Sequence, residues 1–133
     1  MTKQIHENLL IIDFGSQFTK LIARRVRELN VYCEIHPYPK IDKSFILSFA
    51  PKAIILSGGP ASVLEENNPT ITEEIFTLSI PILGICYGQQ LMVKLLGGQV
   101  RSGKGRGEYG RSFVERRETK PKILDGWFEN GHE

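Results

Sequence analysis

The chain has 133 residues, 41% of them hydrophobic and 24% charged, and its 17 basic and 15 acidic side chains leave a formal charge of +2. That is enough chain for one domain with a substantial core, and too evenly charged to point to a disordered tail or a polyanionic partner. No apolar run reaches the ~20 residues of a membrane span, the start Met1-Thr2-Lys3-Gln4-Ile5-His6 lacks the apolar centre of a signal peptide, and Cys33 and Cys86 have no metal-ligand spacing around them, so a cytoplasmic location, reduced thiols and no metal are expected.

Leu9-Leu10-Ile11-Ile12 is a continuous apolar run closed by Asp13-Phe14-Gly15-Ser16, the pattern of a parallel strand buried on both faces and ending in a turn. Phe18, Leu21, Ile22, Val26 and Leu29 recur at helical spacing among Lys20, Arg24, Arg25 and Arg27, which predicts an amphipathic helix with Ser16 placed to cap it. Val31 to Ile35 reads as a second strand stopped by His36-Pro37-Tyr38-Pro39, and Phe45, Ile46 and Phe49 suggest a short helix. Ala53 to Leu56 reads as a third strand, stopped by Ser57-Gly58-Gly59-Pro60. Thr70 to Leu78 predicts a helix, Pro81 to Ile85 a fourth strand, and Gln89 to Leu96 a helix ended by Gly97-Gly98. Strands alternating with helices imply an α/β fold, a doubly wound and mostly parallel sheet. Its ligand site belongs beyond the carboxyl ends of the strands, where Gly15, Gly59 and Cys86 fall. From Arg101 to Lys122, basic residues alternate with glycines; this reads either as a solvated loop and hairpin or as a basic surface for phosphate or a partner domain. There, Ser112 to Arg116 predicts a strand and Lys122 to Phe128 a helical turn, without the aromatic interleaving of nucleic-acid binding.

The chemistry concentrates at Gly84-Ile85-Cys86-Tyr87-Gly88, where an apolar strand ends and a helix begins. Gly-x-Cys-x-Gly at that junction is a nucleophile elbow with sulfur in place of oxygen. The tight turn pushes the side chain into solvent, the helix N-terminus beside it favours a thiolate, and the flanking glycines leave room for neighbouring backbone. A thiolate attacking an amide creates an oxyanion, which needs N–H donors aimed at it. Tyr87, just after the nucleophile, supplies one candidate, and Gly59 in Ser57-Gly58-Gly59-Pro60 the other, unless that glycine pair is only a turn. Neither Gly-x-Gly-x-x-Gly nor a P-loop is present, so no nucleotide site is expected in this chain.

Asp13-Phe14-Gly15-Ser16-Gln17 with Leu21 to Glu28, Leu56-Ser57-Gly58-Gly59-Pro60-Ala61-Ser62-Val63, and Gly84-Ile85-Cys86-Tyr87-Gly88-Gln89-Gln90 together resemble the amino-terminal domain of the GMP synthase family. The elbow is similar to that of class I (triad-type) glutamine amidotransferases in general, and the other two segments narrow the resemblance. It implies a flavodoxin-like fold and a domain that hydrolyses glutamine and hands ammonia to a synthetase that aminates xanthosine monophosphate with ATP and magnesium. Cys86 would form a γ-glutamyl thioester, Gly59 and Tyr87 would line the oxyanion hole, and Gln90 would hold the amino-acid end of glutamine. Glu108-Tyr109-Gly110 also matches, with no role attached. The family's triad His and Glu, spaced His-x-Glu, have no counterpart here: His6 precedes the first strand, His36 follows the second in a turn, and His132 adjoins Glu133 directly. Residues 1–133 are therefore expected to be a partial amidotransferase domain, incomplete at its C-terminus and inactive alone. The synthetase and its ATP and Mg²⁺ would lie elsewhere, and the uncovered edge favours a homodimer. Two alternatives stand beside this: an amidotransferase subunit for another acceptor, of chorismate or carbamoyl phosphate type, and a glutamine-binding module without catalysis.

Overall fold

In the computed structural model, which describes residues 7–101, four strands form one sheet: β1 (Asn8–Asp13), β2 (Tyr32–Pro37), β3 (Ala53–Leu56) and β4 (Ile82–Gly84). All pairings are parallel and the order is β2-β1-β3-β4, so the chain steps outward from β1 first to one side and then to the other. This reversal beside β1 is the switch point at which doubly wound sheets bind ligands.

The apolar run of β1 has the two-faced burial its sequence implies, with Leu10, Ile11 and Ile12 all at 0% exposure. Alternate residues enter different cores because successive strand side chains point to opposite faces. Leu10 and Ile12 pack with Ile46 of α2 (Lys43–Phe49) and with Tyr87 and Leu91 of α3 (Tyr87–Leu95). Ile11 faces the other way, toward Ala23 of α1 (Thr19–Glu28) and Cys33 of β2. One helix thus covers one face and two cover the other, the α/β doubly wound architecture expected.

Five local expectations are corrected. Ser16 does not cap α1; its hydroxyl accepts the N–H of Phe18 in the turn ahead of the helix, and Phe18 is the residue that precedes α1. α1 also turns Ala23, Ile22 and Val26 inward while Phe18, Leu21 and Leu29 stay exposed. β2 continues through His36 and Pro37 instead of stopping before them, because β2 borders the sheet and an edge strand tolerates a residue that cannot donate to the ladder. Thr70 to Leu78 is not an α-helix: only Glu73–Thr77 coils, as a 3₁₀ turn opened by the Thr72 hydroxyl accepting from the Glu74 N–H. The β-branched run Thr70-Ile71-Thr72 resists helix, and burial of Ile71 and Ile75 is achieved from an extended lead-in. α3 begins at Tyr87, two residues ahead of expectation, and ends where predicted, with Gly97 at φ +89° and Gly98 donating to the Val93 carbonyl at 2.8 Å. The expected strand at 112–116, the turn at 122–128, the basic stretch from 102 onward, Glu108-Tyr109-Gly110, His6 and His132 lie outside the described residues.

Candidate active site

Cys86 is the single residue between Ile85 and the first residue of α3, and it is exposed. Its backbone is at φ +52°, ψ −116°, a conformation that a side chain adopts only under constraint from its surroundings. The constraint is visible on both sides. Ile85 donates to the Leu56 carbonyl at 2.9 Å, extending the strand pairing to the brink of the turn, and Gly88 donates back to the Ile85 carbonyl at 3.0 Å. A β-carbon on Gly88 would stand 2.1 Å from the Leu56 carbonyl oxygen, and one on Gly84 2.7 Å from the α-carbon of Gln89. Helix, turn and strand are pressed together backbone to backbone, so both elbow glycines are steric requirements.

Tyr87 opens α3, and the first N–H groups of a helix have no partner within it. Its N–H therefore sits beside the sulfur-bearing residue as an available donor. The tyrosine side chain runs the other way and is buried, its hydroxyl accepting from Asn68 at 3.0 Å and donating to the Pro69 carbonyl. Lys94, two turns along, donates to the Val63 carbonyl at 2.8 Å and to Asn68 at 3.3 Å. α3 thereby ties down the segment that follows Gly58-Gly59-Pro60. Burial pushes the Tyr87 phenol above its ordinary value, partly offset by the Asn68 hydrogen bond. An acid whose folded value is raised contributes stability that is complete below about pH 10 and is lost as pH climbs through the folded value. Tyr87→Phe is expected to lower stability by about 1 kcal/mol at pH 8 and to flatten the fall above pH 10, as read from urea midpoints at the two pH values.

The loop after β3 reaches the same place. A β-carbon built on Gly58 lies 3.4 Å from that of Cys86 and 3.7 Å from the Ser16 hydroxyl, so the loops after β1 and β3 and the elbow after β4 converge. Gly59 is seated on the β1 loop, its virtual β-carbon only 2.3 Å from the Phe14 carbonyl oxygen. Gln90 is exposed on the first turn of α3, donating its N–H to the Cys86 carbonyl at 3.2 Å.

His36 is not brought to this cluster. It sits in register with Ile12, Leu56 and Gly84 but at the opposite border of the sheet, three strand spacings or about 14 Å from β4. It is half-buried, 3.2 Å from Glu34 and edge-on to Phe45. A cleft lined by Asn68, Leu91 and Lys94 runs along α3 without including Cys86. Among the described residues no group of three His, Cys, Asp or Glu side chains could hold a metal ion, and no helix is long and apolar enough to cross a membrane.

Three residues escaped the sequence reading. Asp13 Oδ1 accepts the N–H groups of Gly15 at 2.9 Å and Ser16 at 3.2 Å, and it lies 3.0 Å from the Thr19 hydroxyl. Thr19 is in turn 3.1 Å from the Ser57 hydroxyl. Asp13 could have been suspected from the turn it begins; nothing in the sequence pairs Thr19 with Ser57.

The sequence profile described as Glutamine amidotransferase class-I matches residues 10–128. The chain is 56% identical over 133 residues to the GMP synthase [glutamine-hydrolyzing] of Dinoroseobacter shibae, covering all of this chain and 26% of that protein. It is 59% identical over 128 residues to that of Cereibacter sphaeroides (strain ATCC 17025 / ATH 2.4.3), covering 96% of this chain and 25% of that protein. The chain thus spans about a quarter of the length of these relatives. Among solved structures, a Thermoplasma acidophilum protein described as one subunit of a GMP synthase superposes with a TM-score of 0.65 at 30% identity, over 81% of this chain and 53% of that one.

Proposed function

The chain belongs to the class-I glutamine amidotransferases, and we propose that it carries the thiol half of a glutaminase site whose ammonia serves to convert xanthosine monophosphate to GMP. The observation that carries this reading is the convergence at Cys86: an exposed sulfur on a strained elbow, a free helix N–H at Tyr87, and the Gly58-Gly59 loop in contact with it. In this reading the Cys86 thiolate attacks the side-chain amide carbon of glutamine, and the carbonyl oxygen takes up negative charge between the N–H groups of Gly59 and Tyr87. Collapse expels ammonia and leaves a γ-glutamyl thioester, which water cleaves to glutamate. Gln90, one turn along the helix from Cys86, holds the amino-acid end of the substrate.

Departing ammonia needs a proton, and His36 stands across the sheet from the sulfur, so the acid–base group comes from outside residues 7–101. No His-x-Glu occurs in the 133 residues, and the chain alone is expected to turn over negligibly. The similarity to GMP synthases favours xanthosine monophosphate over other acceptors, with the synthetase part and its ATP and Mg²⁺ supplied from beyond this domain, in the cytoplasm.

A chimera in which this chain replaces the matching quarter of the Dinoroseobacter shibae protein tests the proposal. It is expected to release glutamate from glutamine and to lose that release at least 1,000-fold on Cys86→Ala, the order of loss seen when a catalytic nucleophile is removed. The isolated chain is expected to release none above background. Release that persists in the Cys86→Ala chimera would remove the sulfur from the mechanism.

A further inference from the structure

The β1–α1 turn lies under the Gly58-Gly59-Pro60 loop residue by residue. The Phe14 carbonyl is beneath Gly59, a β-carbon built on Gly15 would stand 3.3 Å from the Pro60 ring, and the Ser16 hydroxyl is 3.7 Å from the β-carbon position of Gly58. Phe14 also touches the other side of the site, its ring centroid 5.3 Å from that of Tyr87. The Gly59 backbone and the Tyr87 side chain therefore both touch one short turn.

That turn takes its shape from a single carboxylate oxygen. Asp13 Oδ1 gathers two backbone N–H groups, of Gly15 and Ser16, and the hydroxyl of Thr19. With one proton to give, the Thr19 hydroxyl donates to the carboxylate and accepts from Ser57. Ser57 adjoins Gly58 and donates its own N–H to the Ile12 carbonyl at 3.0 Å. Thr19 at 2% and Ser57 at 0% exposure are the buried polar side chains among the described residues. The Ser57 hydroxyl also lies 3.4 Å from the Gly58 carbonyl, and hydroxyls sealed from water at this depth are held by these few protein partners.

We propose that Asp13 is a positioning residue for the oxyanion-stabilising loop. Its Oδ1 sets the β1–α1 turn on which Gly59 lies, and acts through Thr19 and Ser57 to hold the residue before Gly58. It touches no substrate and transfers no proton. Its catalytic meaning rests on the glutaminase reading above, while its geometric effect does not.

The test uses the full 133-residue chain and two thiol reagents. Iodoacetamide needs only the Cys86 thiolate. A chloromethyl ketone analogue of glutamine also needs the oxyanion loop: its carbon–chlorine bond breaks as the Cys86 sulfur bonds to that carbon, chloride leaves with the electron pair, and the ketone oxygen occupies the place of the amide oxygen. Asp13→Ala is expected to slow the glutamine-like reagent on the order of 10- to 100-fold, as a misplacement of the order of 1 Å does, and to leave the iodoacetamide rate within about 2-fold. Asp13→Asn retains an oxygen at the Oδ1 position and is expected to restore the rate. Thr19→Val, which removes the hydroxyl's bonds to both Asp13 and Ser57 but keeps the carboxylate's bonds to the Gly15 and Ser16 N–H groups, is expected to fall between them. Amide resonances of Gly58 and Gly59 in ¹H–¹⁵N spectra should shift in Asp13→Ala and return in Asp13→Asn. Unmoved amides, or equal slowing with both reagents, overturns the positioning role. A wild-type chain that shows no preference for the glutamine-like reagent instead defeats the glutaminase reading, and the amide shifts then decide the role of Asp13 by themselves.

Discussion

Gly88→Ala is expected to destabilise the chain by about 3 kcal/mol or more, the upper end of what overpacking a tight contact costs. The added β-carbon would stand 2.1 Å from the Leu56 carbonyl oxygen, 2.6 Å from the carbonyl carbon and 2.7 Å from the Leu56 β-carbon. Two of these three atoms are backbone, at the carboxyl end of a strand paired on both sides, so no rotamer change relieves the clash. Relief requires α3 to lift away from β3, and with it the buried Tyr87 and Leu91. Gly97→Ala is the control. Gly97 has φ +89° but open space around its β-carbon position, so alanine there meets only backbone strain, roughly 1 kcal/mol. Urea unfolding followed by circular dichroism compares the two. A midpoint for Gly88→Ala no lower than that for Gly97→Ala would show that the helix accommodates the methyl group.

Gly59→Ala should leave the chain folded and cut reaction with the glutamine-like chloroketone about 100-fold, the loss typical of one oxyanion donor. Its β-carbon would fall 2.3 Å from the Phe14 carbonyl oxygen and 3.1 Å from the Phe14 β-carbon, so the loop must move off the turn beneath it. In the proposed mechanism, that displacement carries the Gly59 N–H away from the oxyanion. Gly58→Ala separates this effect from simple crowding. There the new methyl group would meet the Cys86 β-carbon at 3.4 Å, an ordinary contact, and only a modest decrease is expected. If Gly58→Ala were the more damaging of the two, access to the sulfur would outweigh the donor at Gly59. The iodoacetamide rate reports on the thiolate in both variants.

Much of the architecture was legible because its causes are short-ranged or compositional. The continuous apolar run Leu9 to Ile12 announced a strand covered on both faces, and the covering helices are there. Where the expectations failed, the deciding factor lay outside the local window. His36-Pro37 reads as a strand stop, yet Pro37 pairs with Asp13 because β2 happens to border the sheet. Thr70 to Leu78 has helical spacing of apolar residues, yet burial of Ile71 from an extended segment outcompetes the helix.

The site divides along the same line. The elbow could be read at Cys86 because its geometry depends on residues two positions away on either side: a turn that tight excludes β-carbons at 84 and 88, and the helix that follows supplies the N–H at Tyr87. Fold class and elbow sterics were therefore determined by the sequence itself. What only the tertiary structure decided is which distant residues stand around that sulfur. Thr19 meets Ser57 across 38 positions of sequence, Phe14 comes to lie under Gly59, and His36 is carried to the far border of the sheet. Parallel strand order and register set those distances, and neither is encoded in any local pattern, because each follows from how whole strands and helices bury one another.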